Sequence, residues 1–583
     1  MAVEKLIVDH IDTWTTALQT RSTAGRGSSG KIDLYGIKKL RELILELAVR
    51  GKLVPQDPND EPASVLLKRI AAEKAELVKQ GKIKKPKPLP EISEEEKPFE
   101  LPMGWEWARL PEITHYQVGK TPSTKDSSFW GSHENGIPWV SISDLVQNGI
   151  VEITSKYISK KAKEDIFKYP PDPAGTILMS FKLTVGKTSL LNIDAYHNEA
   201  IISIHEMNGL NRNYLFHLLP LISQLGNTKQ AIMGNTLNSE SLSMLIVPVP
   251  GTEEQIRIVK KYEELMSLCD QLEQHSLTSL DAHQQLVETL LTTLTDSQNA
   301  DELAENWARI SEHFDTLFTT EASINALKQT ILQLAVMGKL VPQDPNDEPA
   351  SELLKRIAQE KAQLVKDGKI KKQKPLPPIG DGEKPFELPD GWVWSRLDHI
   401  ASKITDGDHK TPPRIAEGYK LLSAKNIRDG FLDYENCDYI SESSYIKSRE
   451  RCLPEKGDLL IVSVGGTIGR SSLITGDSEF ALVRSVAIIK PLIIESNFLK
   501  IAMDSQLLQS MIHSHKRGGA QPCLYLGEIS KFLFPVPPLK EQKRIVKTVN
   551  IFMGILETLT LAFKSAQQTQ LHLADALTDA AIN

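Results

Sequence analysis

The sequence is poor in cysteine. Its four residues of this type, Cys269, Cys437, Cys452 and Cys523, are too scattered for a disulfide framework and lack the CxxC spacing of a zinc site. They are expected to be buried or idle thiols. No window approaches the roughly 18 uninterrupted apolar residues that a membrane helix needs. The opening MAVEKLIVDHIDTW has no apolar stretch of signal-peptide type, so the cytoplasm is the expected compartment. Aromatic residues make up only 6%. With 40% hydrophobic and 25% charged residues beside them, wholesale disorder and fibrous repeats are excluded, and 583 residues suffice for several domains with sizeable cores. An excess of basic charge is missing too, since the net charge is −7, which speaks against a uniformly basic nucleic-acid binder.

Catalytic constellations are also lacking. VGKTS at 185–189 imitates the end of a phosphate-binding loop, but the upstream glycine that loop needs would fall on Phe181. GGTIG at 465–469 lacks GxGxxG spacing and precedes a β-like run. YPPDP at 169–173 has the wrong order for an adenine methyltransferase box. His513 and His515 sit too close for a helical HExxH metal site and read as surface residues. Asp172 and Lys182 do not complete a nuclease-type acidic pair with Glu-x-Lys. No metal site and no catalytic centre are expected in this chain.

What the sequence does contain is a duplication. GKLVPQDPNDEPAS at 51–64 recurs letter for letter at 338–351, an offset of 287. Without gaps, Ile44 to Leu110 aligns with Ile331 to Leu397 at 53 of 67 positions. The same offset returns where VPVPGTEEQIRIVKKYEEL (247–265) lies over FPVPPLKEQKRIVKTVNIF (534–552), and DHIDTWTT (9–16) resembles EHFDTLFTT (312–320). The first copy carries an extra stretch including RSTAGRGSSG (21–30), which reads as a flexible loop. Each copy is thus a short helix, a charged arm, a block of about 150 residues and a closing helix. Two long copies imply an internal dimer with a pseudo-two-fold arrangement.

The blocks differ far more than the arms. Both open on a Trp-rich turn (LPMGWEW, LPDGWVW) and close on a Pro-punctuated run (IVPVP, LFPVPP). β-prone runs at 175–181, 200–206, 457–469 and 483–491 alternate with helical stretches at 211–225 and 496–512, so each block is expected to be α/β with a mixed sheet. Segments 252–295 and 539–583 repeat apolar residues at spacings of three and four, which predicts long amphipathic helices, the first spanning roughly 66 Å. An antiparallel pair of them would hold the blocks apart, while packing of each helix on its own block is the alternative. From 252 to 327 there are 15 acidic and 4 basic residues, a net of −11, leaving +4 for the remainder. The blocks are near neutral, with 12 basic and 13 acidic residues in 101–250 and 18 of each in 388–538. Local lysines remain in the arms, Lys79, Lys82, Lys84, Lys85 and Lys87, then Lys366, Lys369, Lys371, Lys372 and Lys374. A solvated linker accounts for them as well as phosphate contacts do.

The two-copy plan, the glycine-flanked strand from Gly457 to Gly469 (weaker from Gly175 to Gly186), the turn GGAQPCLYL (518–526) and the closing PVPPLKEQKRIV, kept as PVPGTEEQIRIV in the first copy, together resemble the specificity subunit of type I restriction–modification enzymes. The first block departs from the family pattern, with GT at 175–176 and MGNTLN at 233–238. The resemblance implies a non-catalytic DNA-reading subunit with the following parts. An N-terminal helix and Lys/Pro-rich arm (1–100) precede a first target recognition domain (101–251). A long helix and acidic connector (252–327) lead to a second arm (328–387), a second recognition domain (388–538) and a C-terminal long helix (539–583). Each recognition domain would read half of a bipartite site in double-stranded DNA, and the helices, as a coiled coil, would set the spacer. Partners implied are two adenine-methylating modification subunits and motor-nuclease restriction subunits, with S-adenosylmethionine, ATP and Mg2+ held by those partners. The role would be host defence.

Polar loop positions supply candidate DNA contacts: Lys120, Thr121, Ser123 and Lys125 in the loop 117–130, Ser141, and Lys182 and Lys187 in the first block. The second block offers His409, Lys410, Thr411 and Arg414, then Lys425, Asn426 and Arg428, and Arg470, Lys516, Arg517 and Gln521 on glycine-flanked turns. Asn suits adenine and Arg suits guanine in the major groove. Trp130 and Tyr157 are candidates for stacking or for the core, and Trp139 for the core. A protein-only scaffold with two partner-binding blocks is the competing reading.

Overall fold

The computed structural model describes residues 3–21, 31–85, 87–182, 184–225, 237, 239–476, 479–519 and 521–582. The chain divides into two compact units: Met1–Gln19, Asp33–Ser276 and Thr569–Asn583 form one, and Thr20–Ile32 with Leu277–Gln568 form the other.

In the first unit the helix Tyr35–Val49 buries Ile37, Leu40, Leu43, Ile44 and Leu47, the three-and-four spacing of a one-sided helix. The arm after it contains a helix of its own, Ala63–Lys79, with Ala63, Leu66 and Ile70 buried. The second copy repeats this as Ala350–Lys366, burying Ala350, Leu353 and Ile357. A single narrow stripe inside a run of alternating charge hid these helices from periodicity alone. Beyond them the chain is extended until the Trp-rich turn, where strand Glu106–Arg109 pairs antiparallel with Ile246–Val249, opposing Ala108 to Val247. The opening and closing motifs of the block are therefore one ladder. The second block closes the same way, Val393–Arg396 against Leu533–Val536.

The first block holds a five-stranded sheet, in the order Thr114–Val118, Ile201–Glu206, Ile177–Ser180, Thr188–Leu191 and Gly149–Val151, and a four-stranded sheet, Tyr196–His197, Ile137–Val140, Lys156–Ile158 and Trp130–Gly131. Strand Ile177–Ser180 is buried at all four positions, as a central strand covered on both faces must be. In the second block the sheets are Ala401–Asp406, Val486–Pro491, Leu459–Val462 and Ser471–Leu473, and Arg414–Ile415, Asp438–Ile440, Tyr419–Leu422 and Phe480–Leu482. Leu422, Ile427, Leu460, Val462, Phe480, Leu482 and Ile488 form a core to which both sheets contribute. The helix expected at 496–512 is two helices, Ser496–Asp504 and Gln506–His515. Between them Ser505 is extended, at φ −67° and ψ 155°, and its hydroxyl donates to Ala502 O at 2.6 Å. Helix Arg212–Leu225 forms as expected.

Both long helices are present, Thr252–Asp296 and Leu539–Ile582. Within the second unit Val287, Leu291 and Leu294 of the first share a core with Ile545, Val549 and Leu556 of the second. Leu539–Ile582 is, among the described residues, the one helix long and apolar enough to cross a membrane by length and composition. Part of that apolar character lies on exposed positions, Ile551, Ile555 and Leu561, interrupted by Glu557 and Lys564.

The repeated signatures clasp each unit's frame together. Glu254 accepts from Gln56 Nε2 at 2.6 Å and from Trp105 Nε1 at 2.9 Å. Gln255 takes Asn211 N on its carbonyl oxygen and gives its amide to Pro250 O, at 2.7 and 3.0 Å. Arg257 forks onto Asp60, with Nη1 3.1 Å from Oδ1. In the second copy Gln343 reaches Glu541 at 3.2 Å, Gln542 binds Glu495 N and Pro537 O at 2.9 and 3.0 Å, and Arg544 stands 2.7 Å from Asp347. Trp392 faces the Glu541 carboxylate without reaching hydrogen-bonding geometry. Burial raises the pKa of both glutamates despite these donors. The letter-for-letter QDPND segment and the EQxRIV signature are thus the two halves of one joint.

Candidate nucleic-acid interface

In the second block, the loops after the strands are tied to one turn, Val483–Arg484–Ser485. Asp408 N donates to Leu482 O (2.8 Å) and Arg484 N to Asp408 O (3.0 Å), while Val483 N reaches Leu422 O (3.1 Å). Ser463 N donates to Ser485 O at 2.9 Å, Leu524 N to Ser463 O at 2.8 Å and Gly465 N to Pro522 O at 3.0 Å. Ala424 N completes the set on Ser485 Oγ at 3.2 Å. Four segments carrying candidate residues meet there, 407–414, 423–428, 463–470 and, among the described residues, 516–519 with 521–524.

The first block repeats four of these six backbone bonds; among the described residues Glu199 N has no bond to match that of Arg484 N, and Ala200 has no hydroxyl in the place of Ser485 Oγ. Lys120 N donates to His197 O (2.9 Å), Asn198 N to Val140 O (3.0 Å), Phe181 N to Ala200 O (3.0 Å) and Leu237 N to Phe181 O (2.8 Å). Gly119 N binds Ile201 O at 3.2 Å as Gly407 N binds Val486 O at 3.3 Å. Neither glycine is replaceable, because an added Cβ would stand 2.1 Å from His197 O in one and 2.1 Å from Leu482 O in the other. These pairings make Lys120 equivalent to Asp408, Ser141 to Ser423, Asp144 to Asn426 and Glu199 to Arg484. The frame is common and its side chains are not.

The candidates fall into distinct environments. Thr121, Ser123 and Lys125 are exposed on their loop. Lys120 is exposed as well, its ammonium bound to Ile166 O at 2.8 Å and 5.4 Å above the Tyr169 ring. Ser141 caps a turn, its hydroxyl on Asp144 at 2.7 Å, and Lys182 and Lys187 are half-buried. Lys410, Thr411 and Gln521 are exposed. Other cations of the second block already face carboxylates. Arg414 and Lys425 share Asp438 at 2.9 and 3.1 Å, Arg428 lies 3.6 Å from Asp433, Arg470 lies 3.7 Å from Asp429 and Arg517 lies 3.6 Å from Glu528. His409 Nε2 accepts from Arg451 at 2.8 Å, and Arg451 also holds Asp406 at 2.8 Å. Lys516 leans on His513 Nδ1 at 3.2 Å. Such exposed pairs exchange partners at little cost, so an incoming anion would compete with a carboxylate for each of them.

Asn426 is a correction. It is fully buried. Its carbonyl oxygen accepts from Ser423 N (2.9 Å) and Oγ (3.3 Å), and its amide donates to Asp433 O (3.0 Å) and Asn436 O (3.1 Å). Both ends of the amide are spent on shaping the loop, and no edge is left for adenine. Side-chain type alone could not tell a reader from a loop pin. Two arginines escaped the sequence reading. Arg451 sits on the helix Glu442–Arg451, which was not expected. Arg484 was absorbed into a β-prone run, whereas the strand begins only at Val486 and leaves Arg484 exposed on the turn.

Several expectations about neighbouring groups hold. Trp139 is buried, while Trp130 is half-buried and meets it edge to face with centroids 5.2 Å apart. His513 and His515 are exposed, and VGKTS leads into strand Thr188–Leu191, not the helix a phosphate-binding loop requires. All four cysteines are free, and burial pushes the Cys269 and Cys452 thiols up to about 11, which leaves them inert at neutral pH. The arm lysines named above are exposed. Residues 22–30 of the glycine-rich insertion and, save Leu237, the turn MGNTLN lie outside the described residues. Asp172, mostly buried, stands 3.2 Å from His197 Nε2 and 3.1 Å from His205 Nε2. Burial opposes its ionisation, yet the two imidazoles outweigh burial and hold its carboxyl well below the usual range.

Residues 102–282 and 391–562 match the type I restriction modification DNA specificity domain. The chain is similar to the specificity subunit of the type I restriction enzyme EcoAI of Escherichia coli, 50% identical over 618 aligned positions with all of both chains covered. It is also similar to that of EcoEI of Escherichia coli, 47% identical over 616 positions, again with both chains covered entirely. Among solved structures it is similar to the HsdS subunit from Thermoanaerobacter tengcongensis, at 17% identity, covering 84% of this chain and 98% of that one with a TM-score of 0.37.

Proposed function

This chain belongs to the type I restriction–modification specificity subunits, and on that premise we propose that its two blocks each read one half of a bipartite, asymmetric DNA site while the long helices set the unread spacer. The chain is non-catalytic and acts in DNA sequence recognition, within a family that assembles with modification and restriction subunits. A scaffold that never touches DNA is set aside by that membership. The carrying observation is the set of backbone bonds that the two loop junctions share, combined with different side chains at equivalent positions. One frame with two sets of loop chemistry is what two different words require.

The finer reading names the assembly. Two modification subunits dock on the helical frame, where Ile551 and Ile555 are exposed one turn apart on the same face. Target adenines are methylated at N6 by those subunits after extrusion from the stack, and S-adenosylmethionine, ATP and Mg2+ belong to the partners, all in the cytoplasm. Thr121, Ser123, Lys125, Lys410, Thr411 and Gln521 are exposed and would meet DNA directly. Arg414, Lys425, Arg428 and Arg470 would do so by leaving their carboxylates. Near-neutral blocks bring little bulk phosphate attraction, so affinity rests on base edges and on the partners. The test is exchange of 101–250 for the corresponding block of a relative, followed by mapping of methylated adenines. One half of the methylated sequence should change; a change in both halves, or in neither, overturns the assignment.

A further inference from the structure

The turn on which each block's loops converge exposes one charged residue, Arg484 in the second block and Glu199 in the first. Their equivalence follows from the bonds around them. Val483 N binds Leu422 O where Asn198 N binds Val140 O, and Ser485 O receives Ser463 N where Ala200 O receives Phe181 N. Among the described residues neither side chain forms an ion pair, while Arg414, Lys425, Arg428 and Arg470 of the second block all face carboxylates. The backbone under Arg484 is fixed by its own N–H on Asp408 O (3.0 Å), by Val483 N on Leu422 O (3.1 Å) and by Ser463 N on Ser485 O (2.9 Å). The side chain therefore projects from a pre-ordered base, and little backbone entropy remains to be lost on binding. Common geometry with opposite charge does not suit a phosphate contact, because phosphate repels Glu199. It suits base edges, where guanine offers two acceptors and cytosine an amino donor.

We propose that this turn position determines specificity in both blocks, Arg484 as a bidentate donor to guanine and Glu199 as an acceptor from a cytosine amino group. The proposal rests on the half-site reading above. The test uses the full chain co-expressed with its modification subunits in a host without other adenine methylation, with sequencing of methylated adenines. Arg484→Ala should relax one base pair in one half-site, lowering discrimination there roughly 5- to 150-fold, with the other half untouched. Glu199→Gln should relax one base pair in the opposite half. Arg484→Lys keeps the charge and the fold but not the fork, so it too should lose guanine preference.

Unchanged words in all three variants overturn the proposal and leave the half-site reading standing. Methylation that weakens equally at every sequence in Arg484→Ala, with full recovery in Arg484→Lys, marks a phosphate contact and likewise overturns it. A wild-type complex without any bipartite word sinks both readings together.

Discussion

Replacing Glu254 by alanine removes the carboxylate at the centre of the first clasp. The side chain is buried, 4% exposed, and it is the acceptor for Trp105 Nε1 and Gln56 Nε2. An orphaned buried donor costs about 1–3 kcal/mol. Trp105 is buried and belongs in the upper part of that range, whereas the amide of Gln56 is within reach of water and belongs at the bottom. Against this stands the relief of a buried charge, since burial raises the pKa of Glu254. The net loss is about 2–3 kcal/mol. A chain of two compact units does not melt as two states, so the readout must be local. Amide hydrogen exchange over 51–62 should accelerate roughly 30- to 150-fold, with Glu541→Ala giving a smaller effect of the same sign over 338–349, where Gln343 is the donor that loses its acceptor. The sign of the pH dependence follows from the raised folded pKa: the burial cost is fully present above it and is relieved as pH falls toward the unfolded value of 4.5. Arm protection in the wild type should therefore grow slightly on mild acidification, and Glu254→Gln should abolish that growth. Exchange altered less than twofold in both copies would refute the clasp as the element that holds the arms.

Other outcomes are expected. Asp172→Asn should cost the first block about 2 kcal/mol at neutral pH. Because the folded pKa of Asp172 is depressed, wild-type stability from this group is present above its unfolded 3.8 and lost as pH falls below it; tryptophan fluorescence across an acid titration should show that loss in the wild type and not in the variant. Asn426→Ala strands Ser423 N and the carbonyls of Asp433 and Asn436 at a cost of about 2–3 kcal/mol, visible as proteolytic nicking near 428–436. Asp438→Asn releases Arg414 and Lys425 and should steepen the salt dependence of non-specific DNA binding by about one unit of log–log slope, measured by fluorescence anisotropy. Gly407→Ala forces a strand apart from Leu482 O, about 3 kcal/mol of overpacking, seen as a lower urea midpoint.

The duplication, the α/β blocks and both long helices were legible because they rest on long-range repetition and on sustained apolar spacing. Ile177–Ser180 and Ile201–Glu206 announced themselves as apolar runs bounded by turn residues. The arm helices did not, since three buried positions such as Ala63, Leu66 and Ile70 make a stripe too thin to rise above the flanking charges. Ser505 broke a helix whose apolar pattern continued across it, a choice made by its side chain bonding backward to Ala502. The interface was legible only as a set of loops. Whether a polar loop residue faces water or pins its own backbone depends on tertiary neighbours, as Asn426 shows against Gln521. Arg484 was hidden for the opposite reason: an apolar run begins two residues later, and the β-prone stretch 483–491 covers it.

The identity of 51–64 with 338–351 has a consequence for how the chain reaches its native state. Both arms present the same Gln and Asp, and both receiving helices present the same Glu and Arg, so these bonds do not tell the right partner from the wrong one. Discrimination falls to chain connectivity: each arm must find its own helix before the other copy is available. Synthesis from the N-terminus supplies that order, because Thr252 emerges before residue 338 exists. Refolding from denaturant removes it, and crossed joints, within a chain or between chains, become the characteristic failure of this protein.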